Sequence, residues 1–479
     1  MSEAEQVAWL VERILQRSER PGMIRETLYE WFPRLRTRHT LDSDDLTILA
    51  QVCAKYDLAE SLRRLQSWAR TTDERDALYQ AEAQILAKQR EWQRALEIIR
   101  RIHGAEARVR AYCTLATEQA RTGQHEAAHR TLLEALGVVS SSAAGGEWLA
   151  KTAAQLRFPD VAEQATRRGA RPELRDLTLT THVAPAYAFA GKNSEAVRIA
   201  REVHDPVTRG LAYAEIAGIL IERGQSAQAI ALIEHAKEPV GYARAARYLA
   251  ERGYSTQARA FWHKATEFAN RLPEPTRSRS LAQIAIEHAS AGDPETASRV
   301  LQQAKQAIRS PEVAIARFGI ASAYATQGRR AEAVVALLSS EESSALLVTY
   351  YAQVASELYQ HGYAEDARRV LQMMRAYLKR HFPDWYSALE WAHAVRVLAS
   401  RKDTLPLARE LVAGLETETQ SITAPDKRFA IDRRLAELHA HTGNIPKAVH
   451  YAARLTKHDE QTGCLIEILG DLLTRKSEW

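Results

Sequence analysis

The chain has 479 residues, 46% of them hydrophobic and 26% charged, with only 15 prolines, a balance that excludes disorder as its default state. A formal charge of +5, from 65 basic against 60 acidic residues, is a small excess that favours acidic partners without demonstrating nucleic-acid binding. No run of 18 apolar residues is free of charges, and the opening MSEAEQVAWLVERI carries acids where an export signal needs a basic region, so neither a membrane span nor export is expected.

In chain order, residues 1–42 read as a capping segment, one helix followed by the aromatic and basic stretch YEWFPRLRTRH. A first weak unit follows around Ala50 and Ala59. A spacing then recurs in which a small residue is followed by glycine seven positions on and by alanine after five more. It begins with Ala116, Gly123 and Ala128, then Ala184, Gly191 and Ala196, then Ala217, Gly224 and Ala229. Ala246, Gly253 and Ala258 continue it, followed by Ala285, Gly292 and Ala297, then Ala321, Gly328 and Ala333. Ala355, Gly362 and Ala367 precede the last set, Ala436, Gly443 and Ala448. Ala83 with Ala95, Ala150 with Ala162 and Ala394 with Ala408 keep the alanines and change the turn residue, the last pair being two residues further apart. Three junctions break the period: EPVG truncates the unit before Ala246, RLPEPTRSRS lengthens the next, and Met373–Trp391 extends a third. Residues 456–479 hold one amphipathic helix, TGCLIEILGDLLTRK, placed to cover the end of a stack.

Apolar residues between the paired alanines fall at helical intervals, as in Leu211, Ile216, Ala217, Leu220 and Ile221, and resume after the glycine with Ala229, Ile230 and Ile233. Each unit is therefore a helical hairpin. Glycine supplies the left-handed turn, and the alanines let two helix axes approach. Small residue, glycine and alanine at relative positions 8, 15 and 20 of a unit of about 34 residues resemble a tetratricopeptide repeat. The likeness covers roughly residues 43–455 and departs from the family at position 8, where alanine replaces glycine, and at position 4, where tyrosine (Tyr79, Tyr112, Tyr213, Tyr242, Tyr351) stands in some units and tryptophan in none. It implies an all-α, right-handed α-solenoid of about eleven units in 43–455, with capping segments at 1–42 and 456–479. A pentatricopeptide array is disfavoured because its base-reading position would hold Cys113, Ala214, Ala243, Phe318 and Arg433.

The one enzymatic motif is QHEAAHR, with His125, Glu126 and His129 in the order of a zinc site and Glu147 as a conceivable third ligand. Ala128 inside it is a repeat alanine, so the histidines read as surface of a second repeat helix, and no metal or cofactor is expected. Cys53, Cys113 and Cys464 are too few and scattered for a disulfide framework, which suits a reducing cytoplasm.

The resemblance implies a concave face lined by first helices at positions 2, 5, 6, 9 and 13. These positions nominate Lys88, Arg110, Arg121, Lys151, Arg244, Arg247, Arg279, Arg433 and Arg434 as cations. Gln84, Gln155, His182, Gln283, Gln353 and Gln360 join them as neutral groups, and Glu147, Glu215, Glu222, Glu251 and Glu437 as carboxylates. The function expected is a non-enzymatic scaffold or adaptor holding a partner protein or acidic peptide in that groove, with arginine forks on carboxylates. The alternative is a nucleic-acid-binding array on the arginine-rich face. The aromatic cluster Phe382, Trp385, Tyr386 and Trp391 is a second candidate anchor point, or local core of an enlarged junction.

Overall fold

The computed structural model describes residues 43–139, 144–304, 311–327, 329, 333, 345–381, 387–420, 424–455, 461, 463–466 and 468. The N-terminal capping segment, Gly328 and the aromatic residues Phe382, Trp385 and Tyr386 lie outside them. Among the described residues there are 24 α-helices and no strand, and the fold is an all-α solenoid of stacked hairpins.

The chain forms two compact units. One takes its residues from both sides of the other: Met1–Gln89 with Ser343–Trp479, against Arg90–Glu342. The first opens with α1 (Ser43–Tyr56), α2 (Ala59–Gln66) and α3 (Thr72–Lys88). The second holds α4 (Trp92–Arg101), α5 (Ala105–Arg121), α6 (His125–Val138), α7 (Ala144–Gln155), α8 (Pro159–Gly169), α9 (Pro172–Thr178), α10 (Ala184–Phe189) and α11 (Asn193–Glu202). It continues through α12 (Pro206–Glu222), α13 (Ser226–Ala236), α14 (Pro239–Glu251), α15 (Ser255–Asn270), α16 (Thr276–Ser290), α17 (Pro294–Ala304) and α18 (Pro311–Thr326). The first unit resumes with α19 (Ala345–Gln360), α20 (Ala364–His381), α21 (Ser387–Ala399), α22 (Leu405–Thr419), α23 (Pro425–His441) and α24 (Ile445–Ala453).

Every alanine of the repeat spacing from Ala83 to Ala448 is buried. The seven described glycines of that spacing, Gly123, Gly191, Gly224, Gly253, Gly292, Gly362 and Gly443, all have positive φ. At each turn the residue after the glycine donates its N–H to the carbonyl five residues back, as Tyr254 does to Leu249 (2.9 Å) and Asn444 to His439 (2.8 Å). That bond satisfies a carbonyl which the end of the first helix would leave orphaned. Where the glycine is missing the geometry is kept: Asp57, Arg90 and Arg157 take φ of 55°, 63° and 65°, and Phe158 closes the turn on Ala153 at 2.8 Å. Asp57 also resets the register of the first unit. The inward residue twelve after Ala50 is Leu62, fully buried, and not Ala59, which is half-buried. Between Ala394 and Ala408 a different stop is used, with the buried Thr404 hydroxyl donating to the carbonyl of Leu398 at 2.6 Å, and this accounts for the two extra residues.

Neighbouring hairpins are joined at the same ends. Lys88 Nζ donates to the carbonyl of Ala54 (2.8 Å), Arg223 Nη1 to that of Ala188 (2.8 Å) and Gln327 Nε2 to that of Gly292 (2.6 Å). Each spans one repeat, 34 or 35 residues, and caps a helix of the preceding hairpin with a side chain from the next. In the first unit, residues from both ends of the described chain meet. The backbone of Gly463 lies against the Asp45 carboxylate of α1, where an added Cβ would stand 3.2 Å from Oδ1. Cys464, Leu465, Ile466 and Ile468 are buried beside it.

A Cβ added at Gly253 meets no atom within 4 Å, so its φ of 83° alone sets the cost of Gly253→Ala, about 1 kcal/mol. The reverse change at the equivalent turn, Arg90→Gly, is expected to raise stability by about 0.5 kcal/mol, since relief of the left-handed strain outweighs the added chain entropy. Urea melts of the two variants check both signs.

Candidate partner-binding surface

Within Arg90–Glu342 the first helices present two unlike regions. Between α12, α14 and α16 the repeat is shortened, and the backbones of adjacent first helices touch. A Cβ on Gly210 would fall 3.0 Å from the Gly241 nitrogen, and one on Gly241 would fall 3.1 Å from the Gly210 oxygen. A side chain at either site would press on the facing backbone, so glycine at both favours that approach.

Beside this contact lies a charged cluster. Glu287 of α16 is 1% exposed and accepts from Arg244 Nε (2.8 Å), Arg247 Nε (3.0 Å) and Gln283 Nε2 (3.2 Å). Arg244 reaches the other way to Glu215 of α12 at 2.7 Å, and Arg247 to Glu251 at 2.7 Å. Arg247 also lies 4.7 Å over the Tyr248 ring, whose hydroxyl donates to Glu215. Arg279 donates to Asp205 at 2.8 Å across 74 residues of sequence. Two arginines, Arg244 and Arg247, thus face three carboxylates, Glu215, Glu251 and Glu287, and serve as ties between first helices. Reversing their charge would test the fold before any partner.

The second region, from α5 to α10, is different in kind. Leu179–Val183 is a π-helical turn that joins α9 to α10, with the Ala184 N–H bonded to the carbonyl of Leu179. Its cause is Pro185, which lacks an N–H and whose ring would collide with the carbonyl of Thr181 in a regular helix. The wider turn carries His182 towards Lys151 of α7, and burial first and that ammonium second hold the imidazole below its ordinary range. The same first helices carry large apolar side chains that face outward: Trp148 is 47% exposed, Leu177 52% and Phe189 42%. Arg110 lies 5.2 Å over the Trp148 ring and Arg157 6.0 Å from that of Phe189.

The remaining nominated cations are engaged locally. Lys88 caps α1 and stands 3.9 Å from Asp57; Arg110 pairs with Glu106, and Arg121 with Glu118 at 2.8 Å. Arg433 and Arg434 both face Glu437 in the first unit. Lys151 alone of the nine has no carboxylate or carbonyl partner among the described residues. Trp391 is buried beneath the Arg375 guanidinium, 5.7 Å from its ring. His125 opens α6, and the His129 ring stacks on Phe158 at 4.8 Å. Burial pushes the Cys53 thiol up and that of Cys113 to about 12. The exposed Trp148 and Phe189 occupy groove positions 6 and 13, so the repeat numbering reached them; reading those positions only for polar residues passed them over.

No family model matches the chain, and no protein of described function matches it in sequence. Among solved structures it is similar to a circular tandem repeat protein with a novel repeat topology (14% identity, 99% of this chain and 98% of that one, TM-score 0.19). The Cut9–Hcn1 hetero-tetramer of the APC/C gives 16% identity over 99% and 96%, with TM-score 0.23. Naa15/Naa10 bound to HypK-THB gives 14% over 86% and 74%, with TM-score 0.25. Values of this size leave the function to be argued from the chain's own residues. No described helix is long and apolar enough to cross a membrane.

Removing the Glu287 carboxylate leaves two partly buried arginines facing each other. Glu287→Ala is expected to cost about 3 kcal/mol in denaturant melts, against well under 1 kcal/mol for removal of the Glu365 carboxylate, which is 89% exposed and paired with Arg368.

His288 stacks on Trp262 at 3.7 Å, and burial pulls its pKa down to about 4, against the opposing pull of Asp293 at 3.7 Å. Because the folded state refuses a proton that the unfolded chain accepts below about 6.5, this contribution is complete above that pH and shrinks as pH falls towards 4. The loss by pH 5 is on the order of 2 kcal/mol. Thermal melts from pH 7 to 5 are expected to fall, and less steeply for His288→Phe.

Proposed function

We propose that the protein is a non-enzymatic interaction scaffold of tetratricopeptide-like hairpins that holds a partner protein or peptide on the face of its first helices. The observation that carries this reading is the division of labour on that face. Its charged groups between α12 and α16 are spent on the fold, whereas between α5 and α10 it exposes a tryptophan, a leucine and a phenylalanine beside cations. Interaction surfaces combine apolar anchors with a polar rim in this way. The groups that chemistry would draw on are placed for other ends: the thiols of Cys53 and Cys113 are buried and held protonated, and His129 is stacked on Phe158.

The nucleic-acid alternative needs a run of cations free to meet phosphates. Eight of the nine nominated cations already face carboxylates or carbonyls of the same chain. Affinity capture with the full chain from its native cell, with and without nuclease, tests the two readings. A protein partner that survives nuclease and is weakened but not released by moderate salt is expected. Loss of every partner to nuclease, with binding to nucleic acid that falls by about one decade per decade of salt for each phosphate contact, would overturn the scaffold reading.

A further inference from the structure

Five large apolar side chains among the described residues stand out as exposed: Leu133, Trp148, Leu177, Phe189 and Tyr254. Three of them fall within 148–189 and on first helices of two consecutive hairpins. The helices of Trp148 and Phe189 are linked through the groups between them, and Leu177 lies on the helical run that carries Phe189. Lys151 lies one turn beyond Trp148 on α7 and acts on His182, and Phe189 follows His182 by two turns on the same helical run. Arg110 of α5 covers part of Trp148, and Arg157, at the left-handed turn after α7, reaches Phe189.

Charge selects the occupant. Arg110 and Arg171 are answered by Glu106 and Glu147, but Lys151 and Arg157, both exposed, have no carboxylate partner among the described residues. Two unanswered cations beside exposed aromatic and aliphatic groups match a ligand that brings carboxylates and an apolar side chain together. Three packed helices span about 20 Å at ordinary interaxial distances, which an extended segment of about six residues crosses.

We propose that the face bearing Trp148, Lys151, Arg157, Leu177 and Phe189 docks an acidic peptide segment of a partner protein, its apolar residue against Trp148 and its carboxylates at Lys151 and Arg157. The assignment rests on the scaffold reading above and narrows it to one site and one chemistry. A regular helix would not serve as well here. The π turn forced by Pro185 sets His182 towards Lys151, and Leu177 and Phe189 stand on either side of it.

The test is selection from a displayed library of random twelve-residue peptides on the full-length chain at physiological salt, followed by titration of the most enriched sequence as a synthetic fluorescent peptide. Enriched sequences are expected to combine Asp or Glu with Leu, Phe or Trp. Trp148→Ala and Lys151→Glu are each expected to weaken binding at least tenfold, with unchanged melting for Lys151→Glu, whose side chain is exposed. Arg130→Glu, on the second helix α6, should leave binding unaltered. Should one site variant melt early, the other carries the comparison. Acidic and apolar peptides that bind both site variants as tightly as the parent chain would overturn this site while leaving the scaffold reading in place. Enrichment of basic or uncharged sequences, or of none, would overturn the proposal. So would a concentration-dependent dimer that Trp148→Ala abolishes, which would give the face to a second copy of the chain.

Discussion

The structure depends on one backbone constraint, the left-handed residue that reverses the chain between two helices whose facing positions are alanine. The turn fixes where the second helix starts, and the absence of side-chain bulk at the crossing fixes how closely it can lie against the first. The two requirements are linked. A hairpin that turned one residue later would rotate its second helix by about 100° and carry Ala258 or Ala297 away from the contact. The geometry therefore persists where glycine does not. Arg90 and Arg157 accept the left-handed strain, because the cost of one such residue is smaller than that of losing register throughout a stacked array.

Stacking adds a second constraint, that successive hairpins be held at their ends. Lys88, Arg223 and Gln327 do this by capping carbonyls one repeat back, a bond that needs a long donor at the last turn of a first helix and nothing else. Because the acceptor is backbone, the donor can be lysine, arginine or glutamine. The sequence pattern is thereby blurred while the geometry is not. The same logic fails between α12 and α16, where Gly210 and Gly241 bring the first helices into backbone contact. At that separation long side chains converge, and arginine and glutamate side chains interlock instead of fanning out to solvent.

Local periodicity made the hairpins legible in the sequence. Alanine and glycine at fixed intervals report directly on helix crossings and turns, and from Ala83 to Ala448 every paired alanine is buried as the spacing required. What remained hidden depends on contacts between units of sequence far apart. No spacing rule announces that Arg279 reaches Asp205, or that Arg244 and Arg247 converge on Glu287. An arginine at a groove position looks the same in sequence whether its partner is water, a ligand or a carboxylate one or two hairpins away. The glycines Gly210 and Gly241 were a usable signal, being helix-interior glycines outside the turn spacing, and such residues commonly mark close approach of two backbones. Pro185 inside an otherwise helical run was another.

This difference between formal and available charge bears on how the proposed docking surface would select a partner. Counting residues gives a weakly basic protein, and counting groove positions gives a basic groove. After internal pairing, the first-helix face within Arg90–Glu342 is acidic by one charge among the residues that interlock at Glu287, yet carries unanswered cations at Lys151 and Arg157. In the docking proposed above, selectivity for an acidic segment would come from two positions and from the apolar groups beside them. Because an exposed ion pair contributes little by itself in water, the cations steer and align, while burial of Trp148, Leu177 and Phe189 would supply most of the affinity. A surface of that composition would reject a purely acidic polymer, which offers nothing to the aromatic groups, and a purely apolar one, which leaves the ammonium desolvated and unpaired.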